Sequence, residues 1–159
     1  MIGPWSAVVV TPLPEGWRFG IRCRGGMVCE TAFLPVDTPL QVPQDDCSRG
    51  AVTAVQAYFA SPRIALALPL AAGGTPFQQR VWQALQAIPP GRPCSYGALA
   101  AQLGSSARAV AAACRANPIP LLIPCHRVVA AQGPGGYMGA TAGAPLRLKQ
   151  WLLDHEAAG

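Results

Sequence analysis

Apolar positions along this 159-residue chain change their spacing near residue 73. Before that point they come as short β-branched or alternating runs. Ser6–Thr11 reads as one strand. Trp17–Cys23, which alternates Trp, Phe and Ile with Arg and Gly, reads as a second, and Gly25-Gly26 turns the chain into a third, Met27–Phe33. Pro-rich sequence runs on to Pro43. Ser48–Ala60 is predicted helical, with Val52, Val55 and Phe59 on one face and Pro62 beyond its end. Ile64–Pro69 reads as a further extended piece, and Ala71-Ala72-Gly73-Gly74 as a linker. The pattern predicts an α+β chain in two parts: a small α/β domain over 1–72 and a mostly helical domain over 73–159.

The second part carries its helix boundaries in its local sequence. Thr75-Pro76 places a capping hydroxyl before a proline at the first helical position. Phe77, Val81, Trp82 and Leu85 follow on one face, and Pro89-Pro90 stops the run. Ser95 caps a second helix, Tyr96–Leu103, which Gly104 ends. Ser105 or Ser106 caps a third, reaching about Arg115 before Asn117-Pro118. Two short helices joined through a glycine, the second carrying arginine, fit a helix-turn-helix. An apolar run, Ile119–Pro124, then presents Cys125 and His126 side by side and continues as a β-branched segment. Gly133 to Gly139 form a glycine-rich loop around Tyr137. Pro145 starts a last helix, with Leu148, Trp151, Leu152 and His155 along one face, ending at Glu156.

Charge sharpens this division. Residues 1–74 hold five arginines and five acids, whereas residues 75–159 hold seven bases and two acids, so the whole net charge of +5 lies in the second part. A basic half beside a neutral one suggests a polyanionic partner. Apolar residues make up 51% and charged residues 12%, which predicts a substantial core and argues against disorder. The start lacks a secretory signal's basic and apolar regions, and the longest apolar stretch, Ile64 to Ala72, falls short of a membrane span. The expectation is a cytoplasmic protein whose six cysteines are free thiols. Cys23 and Cys29 lack metal-pair spacing and the two histidines are His126 and His155, so no metal is expected.

A cysteine beside a histidine is a candidate activated thiol, because the thiolate is the nucleophile and imidazole can take its proton. In an extended strand neighbouring side chains point to opposite faces, so the pair needs a turn or a bridging water. The acids available to orient the imidazole are Asp154 and Glu156. From the residues alone, a buried inert thiol explains Cys125 equally well.

Pro124-Cys125-His126-Arg127-Val128 resembles the active-site signature of the O6-alkylguanine-DNA alkyltransferases. Other segments resemble that family in the same order: Gly74–Trp82, Ser95-Tyr96-Gly97, Ala107-Arg108-Ala109-Val110, Arg115–Pro120 and Trp151–Glu156. The resemblance covers about residues 73–156. The first part matches only in size and in its strand-rich, ribonuclease-H-like character. The resemblance implies a single-turnover protein that moves an alkyl group from O6-alkylguanine, and also from O4-alkylthymine, onto Cys125. It implies His126 as the base acting through a water, Glu156 as the carboxylate holding it, and Asn117 as the hinge between recognition helix and active-site segment. Arg108 becomes the finger entering the DNA stack and Tyr96 the residue pressing on the phosphate. Ser95, Ala109 and Arg115 become further DNA contacts, and Tyr137, Met138 and Pro120 the base pocket. The implied partner is double-stranded DNA bound through the minor groove by a monomer, with no membrane and no cofactor.

This sequence departs from the family pattern after Tyr137. Met138 stands where a small or hydroxylated residue is usual, with Thr141 as a substitute hydroxyl, and about five extra residues precede the last helix. Three other functions compete with this one: a non-catalytic helix-turn-helix protein that binds alkylated bases, a helix-turn-helix transcription factor and a cysteine hydrolase. The first would lack the acceptor Cys125, the second leaves the Cys-His-Glu set without purpose, and the third has no need of Arg108.

Overall fold

The computed structural model describes residues 5–63 and 66–159. The chain folds as two compact units, Met1–Ala72 and Gly73–Gly159.

In the first unit, β1 (Ala7–Val9), β2 (Arg18–Arg24) and β3 (Met27–Leu34) form an antiparallel sheet in the order β1-β2-β3. Gly25 and Gly26 both take positive φ, +60° and +77°, between the paired residues Arg24 and Met27. That is the two-residue turn whose twist suits a hairpin, and glycine accepts it without a Cβ clash. Phe19 sits opposite Phe33 with ring centroids 5.3 Å apart. α1 (Asp46–Ala60) covers this face of the sheet. It starts two residues before the predicted Ser48, because Asp45 is the cap and Ser48 the third residue of a capping box. Its buried face runs through Ala51, Val52, Val55 and Tyr58. Phe59, predicted for that face, is only half-buried. Ile64 lies outside the described residues. The end of that predicted stretch bonds to β3, with Val28 N donating to Pro69 O at 2.9 Å.

The second unit holds α2 (Pro76–Gln86), β4 (Cys94–Ser95), α3 (Tyr96–Leu103), α4 (Ala107–Arg115), β5 (Val128–Val129) and α5 (Ala144–Ala158). Thr75, Ser95 and Ser106 cap α2, α3 and α4 by accepting from the backbone three residues on. Gly104, at φ +63°, ends α3 in the left-handed conformation. Gly74 is required by close approach, since a Cβ there would lie 2.6 Å from the Trp82 ring. Trp82 is buried and donates from Nε1 to Ala113 O at 3.0 Å, tying α2 to α4. β4 pairs in parallel with β5, a contact absent from the sequence reading. Only Val128–Val129 of the expected β-branched segment is extended, because residues Cys125–Arg127 wind into one 3-10 turn. α5 begins at Ala144 and continues through Ala158, past the expected end at Glu156. Its buried residues are Leu148, Lys149, Leu152 and Glu156, whereas Trp151 and His155 stack on each other, half-buried.

Candidate active site

The site is assembled around Cys125, which opens the 3-10 turn and is 7% exposed. In such a turn successive side chains are about 120° apart, so Cys125 and His126 no longer point to opposite faces as they would in a strand. The turn is braced from the preceding segment. Asn117, just after α4, donates from Nδ2 to Ile123 O at 2.8 Å and accepts from Ile119 N at 2.9 Å. Ile123 N bonds Ile119 O at 2.8 Å, and Leu121 takes a positive φ of +74° to make that loop. Asn117 therefore ties the end of α4 to the segment that delivers the thiol.

Beside the thiol in sequence, His126 and Arg127 join Glu156 in a buried charge cluster. His126 Nε2 is 2.7 Å from Glu156 Oε2. Arg127 donates to the same carboxylate, Nε to Oε1 at 2.8 Å and Nη2 to Oε2 at 3.1 Å, and from Nη1 to Ile88 O at 2.8 Å. The two-pronged arginine contact is the charge-assisted pairing that suits a planar guanidinium and a carboxylate. With that carboxylate accepting from Nε2, the ring proton resides there and His126 Nδ1 presents a lone pair. Nδ1 is buried and has no hydrogen-bond partner among the described residues. Burial pushes the His126 pKa down, opposed by its bond to Glu156, so the imidazole is a neutral base at pH 7. Of the two candidate acids, Glu156 is the one that meets the histidine. Asp154 is exposed and accepts instead from Gln150.

Sequence reasoning missed Lys149. It is the single lysine among eleven arginines, a contrast that carries the signal, because an ammonium and a guanidinium are not interchangeable when buried. Its Nζ donates to Val128 O at 2.7 Å and Gly136 O at 3.0 Å, and lies 5.7 Å from the Tyr96 ring centroid and 6.0 Å from that of Tyr137. Burial lowers its pKa to about 8, which leaves it charged at neutral pH. Burial also pushes the Cys125 thiol up, while its hydrogen bond to Asn117 and the charge of Lys149 act the other way. Burial thus favours the protonated thiol at rest.

Cys125 opens into a cavity of about 330 Å³ whose lining includes Tyr96, Cys114, Arg115, Tyr137, Met138 and Thr141. Burial raises the Tyr96 hydroxyl and the Cys114 thiol each to about 12. Pro120, expected in the pocket, is not part of this lining; its backbone pairs with Ile123 in the loop before the turn. Ser95 spends its hydroxyl on the α3 cap. Arg108 is exposed on the first turn of α4, with Ala109 beside it half-buried. Among the described residues, no cluster of His, Cys, Asp and Glu is arranged to hold a metal ion, and no helix is long and apolar enough to cross a membrane.

The family described as "6-O-methylguanine DNA methyltransferase, DNA binding domain" matches residues 76–158. A methylated-DNA–protein-cysteine methyltransferase of Salmonella typhimurium is 53% identical over 102 residues, covering 62% of this chain and 57% of that protein. The chain so spans little more than half the length of that relative. One of the same description from Mycobacterium leprae is 47% identical over 118 residues, covering 72% of this chain and 68% of that protein. Among solved structures, Mycobacterium tuberculosis OGT in complex with DNA is similar with a TM-score of 0.77 at 35% identity, covering 95% of this chain and 92% of that one.

Proposed function

Because the chain belongs to the 6-O-methylguanine DNA methyltransferase family, we propose that it repairs alkylated DNA by taking the alkyl group of O6-alkylguanine onto Cys125, once per molecule. The observation that carries this reading is a thiol at a base-sized cavity, next to a neutral histidine whose far nitrogen is fixed on a buried carboxylate.

In this reading His126 Nδ1 accepts the Cys125 proton through a bridging water. The thiolate attacks the alkyl carbon, the carbon–O6 bond breaks, and its electron pair passes to O6. The proton held by the imidazole is restored to N1 of the departing guanine, so atoms and charge balance. Glu156 stabilises the transient imidazolium and Lys149 the transient thiolate. The product is a thioether, which thiols do not reverse, and this limits each molecule to one lesion. The same chemistry extends to O4-alkylthymine.

The reacting atom is paired inside duplex DNA, so the nucleotide has to be extruded, at a few kcal/mol of unstacking. α3 and α4 act as a helix-turn-helix laid in the minor groove, where sequence is read weakly. Exposed Arg108 fills the stack where the base leaves, since its planar guanidinium can stack and bond the orphaned partner. Tyr96 presses on the adjacent phosphate; Ser95, Ala109 and Arg115 flank the strand; Tyr137 and Met138 wall the base. Asn117 is the hinge. The first unit serves as a ribonuclease-H-like support, and the protein acts as a cytoplasmic monomer.

The test is to mix the protein with excess duplex oligonucleotide carrying one O6-methylguanine and to follow both partners. We expect one lesion restored per protein molecule. Continued repair beyond that ratio, or restored DNA with an unmodified protein, overturns the mechanism.

A further inference from the structure

The cavity wall beyond Tyr137 is built on a backbone conformation that its sequence does not favour. Tyr137 and Ala140 exchange both backbone hydrogen bonds, each 2.9 Å, which closes a two-residue hairpin turn. The two central residues, Met138 and Gly139, stand at φ +52° and +77°. Turns of this kind are dominated by Asn, Asp and Gly, because an L side chain at positive φ crowds its own carbonyl. Met138 has neither glycine's freedom nor asparagine's local hydrogen bond.

Burial does not compensate this strain. The Met138 side chain is 45% exposed, yet it lines the cavity that opens on Cys125. Much of the neighbouring wall is glycine or alanine: Ala130, Gly135, Gly136, Gly139 and Ala140. Met138 is therefore the long, flexible apolar side chain at the mouth of a cavity walled largely by small residues. Strained positions cluster at ligand clamps, and an unbranched thioether adapts to irregular apolar partners.

We infer that Met138 is a specificity-determining residue: its thioether closes over the extruded base and its O6 substituent, and so favours apolar alkyl groups longer than methyl. The inference rests on the repair reading above and names the substrate class for that same site. A butyl chain on O6 adds apolar surface that a methionine side chain can follow, whereas a methyl group adds little.

The test compares full-length wild type with Met138→Gly on two duplexes, identical except for O6-methylguanine or O6-butylguanine, reading alkyl transfer to the protein by intact mass. Glycine suits the turn, so the variant folds and its thermal midpoint rises. Both transfers slow in the variant, with butyl transfer falling about tenfold further than methyl transfer, the scale of one apolar group's pocket contact. Equal losses on the two adducts, or a wild type that takes methyl but not butyl, overturn the role of Met138 while leaving the repair reading intact. A wild type that gains no alkyl group from either duplex overturns both.

Discussion

The two units of the chain are filled in opposite ways. The first buries a conventional apolar core in which Phe19, Ile21 and Val28 of the sheet meet Ala51, Val55 and Tyr58 of α1; its buried polar side chains, Thr31 and Ser48, are uncharged. The second buries apolar residues too, but among the described residues every buried charged side chain is there: Arg127, Lys149 and Glu156, together with His126. Burying charges is expensive, and a well-packed apolar cluster of equal volume is often as stable or more so. A fold that needed only stability would have made both cores like the first. The contrast marks the second unit, whose interior carries the candidate site, as the one built for more than stability.

Substitutions can break this contrast from either side. The largest expected effect is on function: Cys125→Ser abolishes alkyl transfer while circular dichroism and thermal midpoint stay near wild type, because a hydroxyl replaces a thiol of similar size. Glu156→Ala leaves Arg127 and His126 without their buried partner and costs about 3–5 kcal/mol of stability, read by chemical denaturation. Val55→Ala, in the apolar core of the first unit, costs about 1–3 kcal/mol through lost methyl groups and the cavity left behind. Its folded fraction transfers the alkyl group at the wild-type rate, and a slowed rate would erase the distinction between the two cores.

Acid separates the units as well. His126 titrates below its ordinary value of 6.5 in the folded protein, so the unfolded chain binds the proton first as pH falls. Stability is therefore lost as pH drops below about 6.5 and on towards the folded pKa, and denaturation midpoints between pH 7 and 5 read that loss. His126→Gln removes this part of the slope. The smallest effect is at Asp45, the α1 cap, where Asp45→Ala lowers the denaturation midpoint slightly through the lost cap and leaves transfer unchanged.

Much of the second unit was legible because its instructions are local. Thr75-Pro76, Ser95 and Ser106 each carry their own helix start, and Gly104 its own stop. The first helix was misplaced by two residues for a related reason: Asp45 and Ser48 are both capping residues, and only the reciprocal bonds show which one is the cap. Adjacent Tyr58 and Phe59 were confused because a single-residue phase error falls within the slack of a 3.6-residue period. At the site, Cys125 and His126 are neighbours in sequence, and the pairing of His126 with Glu156 had a readable basis. Leu148, Leu152 and Glu156 follow at intervals of four on the buried stripe of α5, and Asp154 lies off it. A turn at Cys125 was legible as a requirement of the Cys-His pair, whereas the bonds that brace it, from Asn117 to Ile123 and from Arg127 to Ile88 and Glu156, were not. Lys149 was hidden beside Leu148, where lysine ordinarily marks the solvent edge of an amphipathic helix.

In the proposed mechanism the buried carboxylate at position 156 readies the thiol by holding His126 as a base. The direct measurement is the pH dependence of the single-turnover transfer rate in wild type and Glu156→Gln, at a temperature where both are folded. In wild type the rate falls in acid as His126 gains a proton. In the variant the imidazolium loses its stabilising charge, so the rate falls throughout and its acid limb moves to lower pH. A folded Glu156→Gln protein with the wild-type rate and the wild-type profile would contradict the claim.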